Sequence, residues 1–373
     1  MKVVIASGIY EPEIGGPATY VKSIATALSK KGWTVEVVTW SSVKHHKNDA
    51  RAPYNIYRIM QRGKLGLLAY TRKLLQRSKD ASIIFAQGPL HEGLPALLVS
   101  KLLRKKLVVR IPGDQAWEAA QNKGLLDSIE VFQKKQYGIT IKRNKWIQQR
   151  VLANADAIIV PSKYLKNLVR RWTSGEKIHV VHNAAVPVEN CTEKIKHIQT
   201  PYFISAGRFV PWKNFGRIID AFNALSSINM RLVLVGSGPQ KAYLEKKIGN
   251  NKNIMIVAPV QKQLLYKYLK KAHGFILASN YEGFPHILLE AMQTGIPVIA
   301  SNIPANKELV IHKKNGLLFN VNSRKELTNA LQTLLSNKKL RQTLRRNSLQ
   351  TIKKFSPQKM IQETEFVLKS VLT

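Results

Sequence analysis

Cysteine is nearly missing from this sequence. Its 373 residues include one, Cys191, so the chain can form no intramolecular disulfide, as is typical of a protein kept in a reducing compartment. Long apolar runs are missing as well. Stretches such as Gly93 to Leu103 are interrupted by Pro95 and Lys101 and fall short of the roughly 20 apolar residues that a membrane-spanning helix needs.

The first residues do not have the pattern of a signal peptide. Met1 to Ser7 are short and apolar but run directly into Gly8, without the longer apolar core and small-residue cleavage site that such peptides carry. We therefore expect a cytoplasmic protein.

Acidic residues are scarce. Asp and Glu number 22 against 59 Lys and Arg, which gives a formal net charge of +37. Such a field attracts nucleic acid, anionic lipid or an anionic substrate. The cations lie in scattered clusters, without the interleaved aromatic residues of a single-strand binding surface. Two interpretations stay open: solvation of the surface by lysine, and attraction to the anionic cytoplasmic leaflet.

Strand-like and helix-like segments alternate along the chain. Lys2 to Ala6 predicts a buried strand, and apolar residues after Gly16 recur at helical spacing. This alternation favours a parallel sheet covered on both faces. Further strands are predicted at 35–39, 82–86, 107–111, 157–160, 179–182, 202–206, 231–235, 254–258, 274–278 and 297–300.

A polar segment from Val188 to Gln199 interrupts the alternation and predicts a linker. We therefore expect an α/β protein with two doubly wound, Rossmann-like domains, residues 1–195 and 196–355, followed by a helix over 356–373. Ligands of such sheets bind at the carboxyl ends of the strands.

Two glutamates bracket a predicted helix start in the second half. Glu282 lies in the loop after a short strand, Pro285 suits the first helical turn, and Glu290 lies about one turn further on. Free N–H groups at a helix start bind anions. The arrangement suits a ligand with hydroxyls at both ends and phosphate in the middle, as in a nucleotide-sugar. Two solvated carboxylates on a surface loop are the alternative.

Two cations follow the predicted strand that ends at Gly207. Arg208 offers a planar fork for phosphate and Lys213 a point charge, although solvent exposure is the ordinary state of both residue types. Gly15-Gly16-Pro17 and Gly236-Ser237-Gly238 also follow strands. Such glycines allow either a close approach to a ligand or a tight turn.

In order and spacing these segments resemble the family 4 retaining glycosyltransferases of the GT-B fold, in which two Rossmann-like domains face each other across a cleft. The resemblance is strongest from Tyr202 to Phe319 and weaker over Lys2 to Leu28 and Ala155 to Val186. The matching segments are Gly207-Arg208 with Lys213, Val235 to Pro239, Glu282 to Met292, Gly295 to Val298, Glu308, and Asn315 to Leu318.

The resemblance implies a function. The chain would be a retaining, hexosyltransferase-type enzyme that moves a sugar from a nucleotide-diphosphate sugar to a glycan or lipid-linked acceptor, in cell-surface polysaccharide or glycolipid synthesis. It implies no metal and no other cofactor, because cations and helix dipoles take the metal's place. It also implies that the terminal helix crosses back to the N-terminal, acceptor-binding domain.

The resemblance also implies site residues. Arg208 and Lys213 would clamp the diphosphate and stabilise it as it leaves, Glu290 would hold the ribose, and Glu282 would contact the donor sugar. The other donor-binding residues that it implies are Gly16, Gly207, Gly283, Phe284, Ile287 and Leu288.

The acceptor side departs from the family pattern. Many members have a His-Asp pair after the strand that here ends at Ile111, whereas this chain has Pro112-Gly113-Asp114. Asp114 is the candidate for a catalytic and acceptor-binding group, and His91, after another predicted strand, is a candidate for acceptor binding. A structural role is the alternative for His91.

Two other functions stay open. A sugar-nucleotide epimerase can share this fold but needs acid and base groups around the sugar, and no such set is recognisable. A basic nucleic-acid-binding protein needs a recognisable binding module, which is missing, so we expect no nucleic-acid partner. The cations of Arg62 to Lys79 and Arg104 to Lys106 instead predict peripheral binding to an anionic membrane surface.

Overall fold

The structure, a computed structural model, describes residues 1–13, 15–60, 63–125, 127–186, 198, 201–225 and 229–373. They form two compact units. Unit 1 comprises Met1–Ala120, Glu130–Asn183 and Pro357–Thr373, and unit 2 comprises Gln121–Ile129 and Ala184–Ser356. The predicted linker, with Cys191 and the boundary at residue 195, lies outside the described residues apart from Ile198, and the predicted domain limits stay a prediction.

Unit 1 is built on a seven-stranded parallel sheet with the strand order β3-β2-β1-β4-β5-β6-β7. The strands are β1 (Lys2–Ser7), β2 (Thr34–Trp40), β3 (Asn55–Ile59), β4 (Ile83–Ala86), β5 (Lys106–Arg110), β6 (Ala157–Val160) and β7 (Ile178–Val180). The order reverses between β1 and β4, and in doubly wound sheets such a reversal opens a crevice outside the carboxyl ends of the two strands.

Helices lie between successive strands except β2 and β3, which a loop with a 3-10 turn at Asp49–Arg51 connects. They are α1 (Gly16–Lys30), α2 (Lys64–Ser78), α3 (Gly93–Leu103), α4 (Gln115–Gln121), α5 (Ile129–Lys134), α6 (Ile139–Ala153) and α7 (Lys163–Val169). The predicted face of α1 is confirmed, since Val21, Ile24, Ala25 and Leu28 are all buried. Every residue of β4 and of β6 is buried, as expected for apolar strands covered on both faces.

Unit 2 has a six-stranded parallel sheet in the order β10-β9-β8-β11-β12-β13. Its strands are β8 (Tyr202–Ala206), β9 (Arg231–Val235), β10 (Ile254–Val257), β11 (Gly274–Leu277), β12 (Val298–Ser301) and β13 (Leu317–Phe319). Tyr202 and Ile204 of β8 belong to one buried apolar cluster and Phe203 to another, so both faces of this sheet are covered. Here the strand order reverses between β8 and β11.

The remaining helices complete the chain. They are α8 (Phe215–Asn223), α9 (Lys241–Ile248), α10 (Lys262–Lys271), α11 (His286–Thr294), α12 (Pro304–Lys307), α13 (Arg324–Ser336), α14 (Lys338–Ile352) and α15 (Pro357–Ser370). The last of these belongs to unit 1. There the Thr364 hydroxyl lies 2.9 Å from that of Tyr20 in α1, and Glu365 pairs with Lys31.

The predicted α/β class with two doubly wound domains is confirmed. The pattern did not predict β3 and β13, which lie at sheet edges. β3 is half-buried and lacks the continuous apolar run of a strand that is covered on both faces. β13 is apolar but only three residues long, too short to stand out as a run. No helix in the described part of the chain is both long and apolar enough to cross a membrane.

Candidate active site

The predicted donor residues other than Gly16 lie in unit 2, and several of them gather at the point where its strand order reverses. Gly207 and Arg208 follow β8, and the loop that contains Glu282 follows β11, the strand beside it. The carboxyl ends of parallel neighbours meet at one edge of a sheet, and this is the place where doubly wound sheets bind ligands. Arg208 is exposed there, while Lys213 and Glu282 are half-buried.

Lys213 and Glu282 form an ion pair across this edge. The Lys213 ammonium lies 2.5 Å from Oε1 of Glu282, with side-chain exposures of 17% and 11%. The hydroxyl of Ser279 donates to the same oxygen at 2.6 Å. Glu282 is therefore held by two neighbours, and the ammonium of Lys213 has donor positions left over for a further oxygen ligand.

Asn214 fastens the turn that carries Lys213. It has a left-handed backbone conformation with φ of 52°, which Asn tolerates better than most residues. Its side-chain amide donates to the carbonyl of Ala278 at 2.9 Å and to Oδ1 of Asn280 at 2.7 Å. The Asn280 N–H in turn donates to Trp212 O at 2.7 Å. The loop after β8 is thereby fixed to the loop after β11.

Gly236 and Gly238 allow two backbone segments to approach each other closely. A Cβ on Gly236 would lie 2.0 Å from the carbonyl oxygen of Gly207, and one on Gly238 would lie 2.5 Å from that of Phe209. Both glycines have φ of 154°, and Phe209 N–H donates to Ser237 O at 2.8 Å. The two loops pack backbone against backbone, and this contact positions Arg208.

The start of α11 lies between the two predicted glutamates. It begins at His286 after Pro285, and no side chain of the described residues caps it. The N–H of Leu288 donates to Pro285 O at 3.1 Å, so this predicted donor is engaged within the helix start. Phe284 is buried, and its ring centre lies 5.6 Å from that of Phe355. Gly283 is also buried and Ile287 is half-buried.

Glu290 has a partner that the sequence did not reveal. Its Oε1 lies 3.0 Å from the ammonium of Lys262, the first residue of α10, with side-chain exposures of 17% for Glu290 and 27% for Lys262. Lys262 is separated from Glu290 along the chain and belongs to no recognisable motif. Sequence reasoning also missed Ser279 and Asn214 as positioning groups, although both stand inside segments that it singled out.

Asp114 of unit 1 is a fully buried carboxylate. Its Oδ1 accepts from the N–H groups of Ala116 and Trp117 and from the Gln148 amide, each at 3.1 Å, and its Oδ2 accepts from the Gln133 amide at 2.7 Å. Burial raises its pKa above the usual value. These contacts tie the start of α4 to α5 and α6. A role for Asp114 toward an acceptor stays a prediction.

The other predicted residues of unit 1 lie near strand ends. His91 is exposed in the loop between β4 and α3, and its acceptor-binding role stays a prediction. Gly16 is the first residue of α1, a helix with Pro17 in its first turn and no side-chain cap among the described residues. Within the same described ranges, no group of three or more His, Cys, Asp or Glu side chains is arranged to hold a metal ion.

Comparison with known proteins accounts for both halves of the chain. Residues 192–351 match the family model described as glycosyl transferases group 1, and residues 14–187 match that of glycosyltransferase family 4. The chain is 25% identical over 368 residues to an uncharacterized glycosyltransferase of Methanocaldococcus jannaschii, covering 97% of this chain and 96% of that protein. It is 23% identical to the amylovoran biosynthesis glycosyltransferase AmsD of Erwinia amylovora, with coverage of 95% and 96%.

Solved structures share the fold. The Anabaena protein HepE in complex with UDP and glucose superposes with a TM-score of 0.79 at 17% identity, covering 99% of this chain and 100% of that one. Sucrose-phosphate synthase of Thermosynechococcus elongatus superposes with a TM-score of 0.77 at 19% identity, with coverage of 99% and 98%. With a matching family model on each half of the sequence and this fold, the chain belongs to the group 1, family 4 glycosyltransferases of the GT-B type.

Proposed function

We propose that this glycosyltransferase moves a sugar from a nucleoside diphosphate sugar to a glycan or lipid-linked acceptor with retention of configuration. One observation carries the proposal: Arg208, Lys213 and Glu282 lie together at the carboxyl edge of β8 and β11, beside the start of α11. A diphosphate needs cations and N–H groups, and a sugar needs a carboxylate that accepts hydroxyls. This edge supplies both.

The charges suit departure of a diphosphate. Negative charge grows on the leaving group as its bond to the sugar breaks, and Arg208 and Lys213 stabilise that charge. Glu282 accepts hydrogen bonds from hydroxyls of the donor sugar. Glu290, which the Lys262 ammonium positions from 3.0 Å, accepts hydrogen bonds from those of the ribose. The acceptor hydroxyl attacks from the face that the diphosphate leaves, and a leaving phosphate oxygen takes its proton. The cations replace a metal ion in these roles.

Relatives support a donor base and a biosynthetic role. HepE structures contain UDP and UDP-glucose, which favours uridine diphosphate here. A Campylobacter jejuni relative, 26% identical over 229 residues, is a 4-α-N-acetylgalactosaminyltransferase named for a diphospho-undecaprenol substrate. AmsD is named for biosynthesis of the polysaccharide amylovoran. We therefore assign the chain to the synthesis of a cell-surface polysaccharide or glycolipid.

A surface of unit 1 supports a location on the cytoplasmic face of a membrane. Helix α3 packs between α2 and α6, and all three expose large apolar side chains. These are Leu65 and Leu68 of α2, Leu98 and Leu102 of α3, and Ile139 and Trp146 of α6. Each helix also carries or adjoins several Lys and Arg residues. Apolar groups among cations match the boundary of an anionic leaflet.

A thermal-shift panel tests the donor assignment. Unfolding is followed with UDP, GDP, ADP, NAD and their sugar conjugates, each with magnesium and with a chelator. We expect UDP and UDP-sugars to stabilise the protein equally in both conditions, since a ligand at about 100 times its Kd adds about 2.7 kcal/mol. The shift should disappear in Arg208→Ala and Glu290→Ala. It should persist in Arg346→Ala, which changes an exposed arginine of α14.

Other outcomes of the panel would contradict the proposal. Stabilisation by NAD alone would indicate a redox protein, and a shift that requires magnesium would contradict metal independence. Retention is tested separately, by NMR assignment of the anomeric configuration of the product formed from an α-linked donor. A β-linked product would refute the retaining mechanism and leave the donor assignment intact.

A further inference from the structure

A second strand-order reversal lies in unit 1, between β1 and β4. Gly8 follows β1 and Gly88 follows β4. The carboxyl group of Glu92 lies against both glycines. A Cβ on Gly8 would be 3.1 Å from Oε1 of Glu92, and a Cβ on Gly88 would be 2.3 Å from the same atom. Gly88 leaves the same room for the Gln115 side chain, whose amide nitrogen would also lie 2.3 Å from such a Cβ. The glycines thus admit polar side chains at the edge where a doubly wound sheet binds its ligand.

Polar atoms at this edge have unused bonding capacity. Glu92 is 3% exposed. Its Oε1 accepts weakly from the Gln115 amide at 3.4 Å, while its Oε2 has no partner within the described part of the chain. Gln87, which precedes Gly88, is 2% exposed, and neither atom of its amide has a partner among the described residues. Buried polar groups are nearly always bonded, so each of these three atoms calls for a ligand or water.

Asp114 of the same unit provides the contrast. It is as deeply buried, yet donors bind both of its oxygens. In Asp114, a buried carboxylate that joins helices thus has hydrogen-bond donors on both oxygens. Glu92 differs because its neighbours on the two strand ends are glycines, which have no side chain to offer it.

We propose that Glu92 and Gln87 bind hydroxyl groups of the acceptor sugar at the reversal point of unit 1, an assignment that rests on the proposed function. A carboxyl group and an amide both accept and donate hydrogen bonds, so together they suit a neutral ring with several hydroxyls. Burial raises the pKa of Glu92 to about 7, so near neutrality the carboxyl group can donate as well as accept, while its ionised form would repel a phosphate or another anion. A sugar can approach over Gly8, which is half-buried.

Binding of simple sugars tests the assignment without the natural acceptor. Saturation-transfer NMR is recorded with methyl glycosides of glucose, galactose and N-acetylglucosamine as probes. We expect at least one to bind the wild type, and its affinity to fall about tenfold or more, about 1.4 kcal/mol, in Glu92→Ala and in Gln87→Ala. Glu363→Ala, which removes a partly exposed carboxylate of α15, is the matched control and should bind as the wild type does.

Two further variants separate binding from folding. Gly8→Ala keeps the carboxyl group but places a methyl group against it, and it should weaken the glycoside. Glu92→Gln keeps a hydrogen-bonding group without an ionisable one, so it should bind with an affinity that no longer changes with pH near neutrality. Unfolding temperatures of all variants are measured in parallel, and only folded variants are compared.

The outcomes distinguish this assignment from the donor assignment. Failure of every glycoside to bind the wild type, or equal binding by all variants, overturns the role of Glu92 and Gln87. In either case the stabilisation by UDP is a separate measurement on unit 2, and it tests the glycosyl-donor proposal independently. Loss of both the UDP and the glycoside signals in Glu92→Ala would indicate general damage, which also overturns a specific role.

Discussion

Lys213 and Glu282, 69 positions apart in the chain, lie 2.5 Å from one another between ammonium and carboxylate oxygen. The contact joins the loop after β8 to the loop after β11, at the edge where the strand order of unit 2 reverses. The group predicted to bind phosphate and the group predicted to bind sugar thus restrain each other. Changes that loosen either loop should therefore affect both functions.

Asn214 offers the most direct way to loosen the loop. Asn214→Ala removes its bonds to Ala278 and Asn280 and leaves an alanine at positive φ. We expect a loss of about 2 kcal/mol in unfolding free energy, from strain and lost hydrogen bonds, and about tenfold weaker UDP binding. Asn214→Gly removes the strain alone. Compared with Asn214→Ala, the glycine variant should recover the strain part of the unfolding free energy, measured by urea denaturation. Its affinity for UDP, measured by calorimetry, should stay low. Recovery of both quantities would contradict this account.

Gly236 should tolerate no side chain. Its Cβ would lie 2.0 Å from the Gly207 carbonyl oxygen, so Gly236→Ala must displace the loop that carries Arg208. We expect a loss of about 3 kcal/mol or more, with weakened UDP binding. Gly249→Ala is the control, because Gly249 also has positive φ but its Cβ would meet nothing closer than 3.9 Å. That change should cost about 1–3 kcal/mol from backbone strain alone and leave UDP binding unchanged.

Asp114 should prove essential to stability. Asp114→Ala leaves its buried donors from Gln133, Gln148 and the start of α4 without an acceptor. We expect urea denaturation to show a loss of about 3 kcal/mol or more. Asp80→Ala removes a carboxylate whose side chain is 73% exposed and should leave the free energy of unfolding nearly unchanged. Equal costs for the two changes would contradict the structural role of Asp114.

Glu92 should make stability depend on pH. Burial raises its folded-state pKa from 4.5 to about 7, so between these values the unfolded chain releases a proton that the folded chain keeps. The unfolding free energy of the wild type therefore falls as pH rises through this interval. Compared with that of Glu92→Gln, it falls by up to about 3 kcal/mol. Tyr70 is the ionisable neighbour whose own pKa Glu92 helps to raise. Urea denaturation of both proteins across the interval checks this, and parallel curves would contradict it.

Membrane binding should require the exposed apolar residues of unit 1. In co-sedimentation with vesicles, wild-type protein should prefer phosphatidylglycerol-containing vesicles to neutral ones at physiological salt, since each nearby cation contributes about 1 kcal/mol. Leu68→Ser with Ile139→Ser should weaken this binding several-fold. Ile311→Ser, which changes an exposed apolar residue of unit 2, should not. The absence of any preference for anionic vesicles would refute the membrane location.

The sequence predicted most central strands because their residues form short apolar runs between loops. It placed Arg208, Lys213 and Glu282 correctly at strand ends, since local order along the chain decides that placement. It did not indicate that Lys262 meets Glu290, because the contact depends on how α10 packs beside α11. It drew attention to exposed His91 rather than to Glu92, whose burial follows from the glycines on two separate strands.

Helix α15 closes unit 1 by placing Thr364 against Tyr20. Ribosomal synthesis produces all of unit 2 before this helix, so unit 1 begins to emerge first but receives α15 only after unit 2. Domains generally fold as units during synthesis. Because α15 belongs to unit 1, unit 2 is synthesised in full first and can complete its folding before unit 1. Until α15 has been synthesised, the surface of α1 that includes buried Tyr20 lacks the helix that covers it in the folded protein.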